Sequence, residues 1–221
     1  MKPAIFLETL RKLHFENAFN PYSERCAVHD LEDAPRARSR MLLSLLEMAA
    51  EREVDSLWIG RDLGHRGGRR TGLAFTDDVN VQTHTERWGL SMQRSTKGEA
   101  VTERTAAVIW RVLAQVKVSV FLWNVFPLHP HEPGNPFSNR THNARERRAG
   151  EELLSQLVEL LRPRRLIAIG NDAARTARHL YHPHRIIQVR HPSYGGQTRF
   201  LTQMNGLYPG IRLSRVTTRD V

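Results

Sequence analysis

Apolar residues fall into two patterns along this chain. Residues 56–60, 118–124, 165–170 and 185–190 form short runs that are apolar nearly throughout and rich in β-branched and aromatic side chains. A run without polar alternation suits a strand buried on both faces, as in a parallel sheet. Between these runs the apolar positions recur at helical spacing. In residues 35–52, Met41, Leu42, Leu45, Leu46, Met48 and Ala49 fall mostly on one face; in 143–161, Leu153, Leu154, Leu157, Leu160 and Leu161 do the same before Pro163. Further helices are predicted over 3–15, 99–116, from the third strand to about Leu180, and 197–207. Asn20-Pro21-Tyr22-Ser23 reads as a turn, and 76–98 is polar with weak periodicity. Residues 126–139 hold four prolines, which argues against regular structure. Strand and helix alternate, so the predicted fold is α/β, a three-layer α/β/α sandwich around a central, mostly parallel four-stranded sheet. One domain is expected over 1–221, with a helical N-terminal part (1–54) and an α/β core (55–206).

In a parallel sheet the carboxyl ends of the strands share one edge, and chemistry gathers in the crevice beyond it. The first strand runs into Gly60-Arg61-Asp62-Leu63-Gly64-His65, the second ends at Asn124, the third at Gly170-Asn171-Asp172, and the fourth at His191-Pro192-Ser193-Tyr194-Gly195-Gly196. Asp62, Asn124 and His191 should therefore converge. A carboxylate, an amide and an imidazole make a plausible set for recognising a planar heterocycle and cleaving a bond beside it. The residues alone leave other readings open. Asp62 also suits a turn or helix cap, His191 a structural role, and Phe75 the plain core.

Charge narrows the choice of partner. The formal net charge is +10 and the pI about 10.7, an excess that favours a polyanion such as nucleic acid. Arg66-Gly67-Gly68-Arg69-Arg70 follows the Asp62 turn and is expected as a flexible cationic loop for phosphates. The single cysteine, Cys26, excludes an internal disulfide or a four-cysteine cluster. No signal peptide or membrane span is expected, so an intracellular, cytoplasmic protein is predicted. His129, His131, His179, His182 and His184 match no zinc spacing, and no metal or cofactor is expected. No phosphate-binding glycine loop of the P-loop or dinucleotide type is present, which argues against a small-nucleotide enzyme.

The strand-end motifs resemble those of uracil-DNA glycosylases. The best-known family carries Gly-Gln-Asp-Pro-Tyr-His followed by Gly-Leu-Cys-Phe; Gly60, Asp62, His65, Gly72, Leu73 and Phe75 match, while Arg61, Leu63 and Gly64 replace Gln, Pro and Tyr. Leu122-Trp123-Asn124 is similar to the family's second strand end. Pro133-Gly134-Asn135 and residues 160–174 resemble stretches of the thermophile-type members. His191-Pro192-Ser193 matches the superfamily's His-Pro-Ser, and Tyr194 extends the match to the thermophile type. The likeness spans residues 55–206.

It implies a monomeric, monofunctional enzyme that flips uracil from DNA and hydrolyses its glycosidic bond. Asp62 and His191 would be catalytic. Gly60, Arg61, Gly64, His65, Phe75 and Asn124 would form the base site, with Phe75 stacking on the base and Asn124 pairing with its edge. Arg66, Arg69, Arg70, Ser193, Tyr194, Gln197 and Arg199 would hold the DNA. Two of the departures from the family pattern bear on the pocket and the base stack. Gly64 stands where a tyrosine ring blocks the 5-methyl of thymine, implying a wider pocket. Gly195 stands where a leucine wedges into the base stack, leaving Gln197 or Arg199 to substitute. A non-catalytic binder of damaged or abasic DNA is the alternative.

Overall fold

A computed structural model describes residues 1–182 and 185–211; His184 lies outside them. Helix α1 (Pro3–Arg11), strand β1 (Ala18–Phe19) and helix α2 (Ala34–Ala50) come first. Strand β2 (Ser56–Asp62) leads to α3 (Gly68–Thr71), α4 (Val81–Glu86) and α5 (Arg104–Leu113). Strands β3 (Val120–Phe126) and β4 (His129–Pro130) precede α6 (Ala144–Leu161). Then follow β5 (Arg165–Ile169), α7 (Asn171–Leu180), β6 (Ile186–Val189) and α8 (Gln197–Leu207). Among the described residues the main sheet runs β3-β2-β5-β6, and all its pairs are parallel. The two-residue strands β1 and β4 pair antiparallel beside it. The three-layer α/β/α architecture is as the pattern predicts.

The apolar runs are explained by burial on both faces. Leu57 and Ile59 of β2, Phe121, Trp123 and Val125 of β3, and Leu166 and Ala168 of β5 pack with α1, α2, α6 and α7. The intervening Trp58, Val120, Leu122, Ile167 and Ile169 pack with α5 and α8. Successive side chains point to opposite faces, so a strand covered on both sides shows no polar alternation. Leu57, Trp58 and Ile59 are fully buried, each contributing about 1.5–3 kcal/mol by removal from water. The Trp58 indole N–H donates to the Tyr208 hydroxyl (2.8 Å), which also bonds Ser56 (2.7 Å) and anchors the end of α8.

Local chemistry sets several boundaries that periodicity misplaced. The first helix ends at Arg11, because the Asn20 amide donates to the Leu10 and Leu13 carbonyls and closes the chain into a turn. The fifth helix begins at Arg104 rather than near 99, since Glu103 is extended and its N–H is taken by the Asp77 carboxylate (2.7 Å). Strands β2 and β3 run two residues past Gly60 and Asn124, with Asp62 registered against Phe126. The proline-rich stretch contains β4, and the polar stretch after Thr76 contains α4. Helix α6 begins where predicted: the Asn143 side chain accepts from the Arg145 and Glu146 N–H groups, and Glu146 returns the bond to Asn143, a full capping box.

The cationic loop expected over 66–70 is not a flexible loop. Arg69 and Arg70 lie on α3 and are buried. Arg70 is paired with Asp78 (2.6 Å), and the Arg69 guanidinium lies 4.0 Å from the Phe19 ring centroid and 5.1 Å from that of Phe137. Arg38, fully buried, holds both oxygens of Asp30 at 2.9 Å and the Arg70 carbonyl at 3.2 Å. Each cation leaves water only because an anion, carbonyl or ring face replaces the solvent.

Two stability outcomes follow from this packing. Gly150, within α6, lies against β3 so closely that an added Cβ would sit 2.1 Å from the Val125 carbonyl oxygen. Glycine-to-alanine inside a helix ordinarily stabilises by about 0.5–1 kcal/mol. Here overpacking reverses the sign, and Gly150→Ala should destabilise by about 1–3 kcal/mol in denaturant unfolding. Arg70→Met should destabilise by about 3 kcal/mol in the same assay, because it strands the buried Asp78 carboxylate.

Candidate functional site

Strands β2 and β5 are neighbours, but the chain leaves β2 toward β3 and leaves β5 toward β6. Crevices open at such reversals in parallel sheets. Here a cavity of about 490 Å3 opens beyond their carboxyl ends. Its walls come from all four strand ends: Arg61 to Gly64 at the end of β2, Asn124 on β3, Ile169 to Ala173 at the end of β5, and Arg190, His191, Ser193 and Tyr194 after β6. Phe75, Glu103, Asn139 and Arg140 complete much of the lining. Asp62, Asn124 and His191, distant in sequence, thus share one cavity.

Gly60 determines how the aromatic and amide parts meet. A Cβ there would lie 2.4 Å from the Phe75 ring and 2.5 Å from the Asn124 side-chain oxygen. Phe75 has a left-handed backbone, with φ 54°. Its carbonyl accepts from the Trp110 indole N–H at 3.0 Å, tying that turn to α5. The bare backbone at Gly60 therefore lets a ring face and a buried amide line the same space.

Asp62 is mostly buried and doubly engaged. Arg61 Nε donates to Oδ2 at 2.7 Å, and His142 Nδ1 is hydrogen-bonded to Oδ1. Arg61 also reaches Asp172 at 3.2 Å, in the first turn of α7. The turn after β2 is pinned to the segment after β3: Leu63 N–H donates to the Leu128 carbonyl (3.2 Å), and His129 Nδ1 bonds the Leu63 carbonyl (2.8 Å). Burial pushes His129 down to about 3, so it is neutral and donates that bond.

His191 is neutral as well. Burial, then the nearby Arg61 and Arg190 charges, push it down to about 4. The Ser193 N–H donates to its Nδ1 at 3.2 Å, and the Ser193 hydroxyl lies 2.7 Å from the same nitrogen. Nδ1 is thus an acceptor, which leaves the proton on Nε2. The turn is tight; a Cβ on Gly196 would lie 2.0 Å from the His191 carbonyl oxygen.

The space beside Gly64 is not empty. A carboxylate oxygen of Glu103 lies 3.2 Å from where a Gly64 Cβ would be, and the other lies 2.2 Å from a Gly67 Cβ. The wider pocket expected from Gly64 is therefore corrected: the two glycines seat a carboxyl group. Burial, and the Asp77 carboxylate after it, push Glu103 up to about 7 against the opposing charge of Arg66.

The predicted residues divide into four groups. Gly60, Arg61, Asp62, Gly64, Phe75, Asn124, His191, Ser193 and Tyr194 border or contact the cavity. His65 and Arg66 instead line an adjoining groove with Glu103, Arg104 and Asn139. Gln197 opens α8, directly after the His191–Gly196 turn, with Arg199 exposed two residues further along; Tyr194 is 97 % exposed. Arg69 and Arg70 face inward and are unavailable to phosphates. Asn135 is exposed outside the cavity, whereas Asn139 and Arg140 line it. Sequence reading missed Glu103, Asn139, Arg140, His142 and Asp172. Glu103, Asn139, Arg140 and His142 sit in segments without periodicity, and Asp172 at a helix start.

Among the described residues, no cluster of three metal-ligating side chains occurs, and no helix is long and apolar enough to cross a membrane. No curated protein matches the chain significantly. Among solved structures, wild-type SMUG2 of Pedobacter heparinus is 14 % identical, with a TM-score of 0.56 over 94 % of this chain and 97 % of that one, a likeness of fold. The family model of the uracil DNA glycosylase superfamily matches residues 49–205, the span that carries all four strand ends. By that match the chain belongs to the uracil DNA glycosylase superfamily.

Proposed function

We propose that this protein is a monofunctional DNA glycosylase that hydrolyses the N-glycosidic bond of uracil flipped out of DNA. The observation that carries the reading is the single cavity holding Asp62, Asn124, Phe75 and a neutral His191. A base in a duplex hides its glycosidic bond in the stack, so it must leave the helix to react. Phe75 offers a ring face for stacking. The Asn124 amide pairs with the uracil edge and disfavours cytosine, whose donor and acceptor are exchanged there. When the bond from the sugar C1′ to the base nitrogen breaks, its electron pair stays on the base. His191, with its proton on Nε2, donates to the carbonyl that gathers this charge, an effect of about 3–4 kcal/mol. The sugar becomes cationic, Asp62 stabilises it, and a water oxygen bonds to C1′. Arg66, Ser193, Tyr194, Gln197 and Arg199 face the strand, with phosphate contacts setting its register. The reaction calls for no cofactor, and the protein acts as a monomer.

One observation favours a second reading. The Asp62 carboxylate is engaged by Arg61 and His142, and a guanidinium beside it opposes a cation at the sugar. A protein that binds damaged or abasic DNA without turnover would keep such a neutralised site. A uracil-containing oligonucleotide, incubated with the protein and then treated with alkali, separates the two: strand breaks at uracil mark an enzyme, and an intact strand with retained binding marks a binder.

Three outcomes are expected. Asp62→Asn should bind abasic DNA as the wild type does and lose about 100-fold or more in single-turnover excision. Wild-type turnover in that variant would remove Asp62 from the chemistry. Glu103→Ala should open the space beside Gly64 and raise excision of 5-substituted uracils relative to uracil, as measured on matched oligonucleotides. Glu103 also makes stability fall with pH. The unfolded chain releases its proton near 4.5, but the folded protein only near 7, so the native state loses stability between those values. Glu103→Gln cannot ionise and should melt above the wild type at pH 8 but level with it at pH 4.

A further inference from the structure

His142 lies outside every motif that marks the site, yet its imidazole touches the carboxylate at the centre of it. Nδ1 is hydrogen-bonded to Asp62 Oδ1, and both side chains are only 7 % exposed. The ring lies against Phe126 of β3, with centroids 6.1 Å apart. The backbone on either side is fixed. Arg140 grips both oxygens of Glu146 at 2.6 and 2.7 Å, and donates to the Asn17 and His131 carbonyls. Asn143 caps α6 and is itself bonded by Glu146. Histidine 142 thus sits between two anchored residues and has little freedom to leave Asp62.

Arg61, the other partner of Asp62, is held differently. Its side chain is 40 % exposed, borders the cavity and divides its bonds between Asp62 and Asp172. An exposed, shared guanidinium beside a site for DNA is readily drawn to a phosphate or to an anionic base. Asp62 therefore has one fixed partner, on Oδ1, and one exchangeable partner, on Oδ2.

We propose that His142 is a positioning residue for Asp62, holding Oδ1 while Arg61 turns from Oδ2 to the substrate and yields that oxygen to the attacking water. The proposal rests on the glycosylase reading above. Water gives its oxygen to C1′, the base leaves with the bonding pair, and the released proton passes to Oδ2 and then to solvent or the departing base. With Asp62 ionised, His142 donates through Nδ1–H. The charged groups about the pair are Arg61 on β2, Asp172 on α7 and the Arg140–Glu146 pair beside α6.

Two substitutions test this. His142→Phe keeps the ring and its contact with Phe126 but removes the donor. His142→Asn places an amide N–H near the position of Nδ1. His142→Phe should slow single-turnover excision of uracil by roughly tenfold or more with abasic-DNA binding unchanged. His142→Asn should recover most of the rate. Wild-type speed in His142→Phe, or a His142→Asn rate as low as that of His142→Phe, overturns the proposal. Should His142→Phe fail to fold, His142→Leu stands in as the variant without a donor and is read against His142→Asn in the same way. Asp62→Asn is measured alongside: if it is slow while His142→Phe is fast, the His142 role alone fails. If the wild type excises no uracil, the glycosylase reading fails and takes the His142 role with it.

Discussion

A strand paired on both edges and covered on both faces cannot carry a charge until it leaves the sheet. β2 is that strand, and the rest of the site depends on it. Its buried part, Ser56 to Gly60, holds the register with β3 and β5. The first ionisable side chains it can present are Arg61 and Asp62, at the edge where the parallel strands end. The last residue of the buried part has no side chain, and that absence lets Phe75 and Asn124 both approach the space a Cβ would fill. Desolvation of the sheet and access to the cavity thus meet within three residues.

The same constraint decides what could be read from sequence. Burial on both faces erases polar alternation, so the four strands stood out and the convergence of their carboxyl ends followed from parallel pairing. Residues 76–103 gave no such signal, because they are organised by polar groups and not by an apolar face. Asp77 accepts from Asn80 and from the Glu103 N–H, while Asp78 accepts from Arg70, Thr96 and the Val101 N–H. A segment wrapped around two buried carboxylates looks like a solvated loop. Arg69 and Arg70 misled for a related reason. A run of arginines reads as surface unless its partners are known, and these partners, Phe19, Phe137 and Asp78, are set by tertiary packing. His142 and Glu103 were invisible because neither lies at a strand end.

The net charge of +10 therefore needs closer division than composition allows. Arg38, Arg69 and Arg70 serve the interior, tying the N-terminal segment, α3 and the Asp78 loop together. Their charge adds to the field of the whole protein but offers no donors to a phosphate. On the proposed function, donors near the site come instead from Arg66, Arg190 and Arg199, fewer cations than the arginine-rich stretch suggested, and the salt dependence of DNA binding should reflect that smaller set.

Asp62, Glu103 and Asp172 all line the cavity, and the first two sit in different surroundings. Asp62 is held between a guanidinium and an imidazole. Glu103 is desolvated beside Asp77, and its pKa rises to about 7. Burial lets Glu103 keep its proton to a higher pH than an exposed glutamate, and on the proposed glycosylase reading a protonated Glu103, seated against Gly64 and Gly67, meets the edge of a base as a donor where a full negative charge would repel a carbonyl. The glycines that appeared to empty the pocket make room for that second carboxyl group, so shape and charge at this wall are set by one side chain.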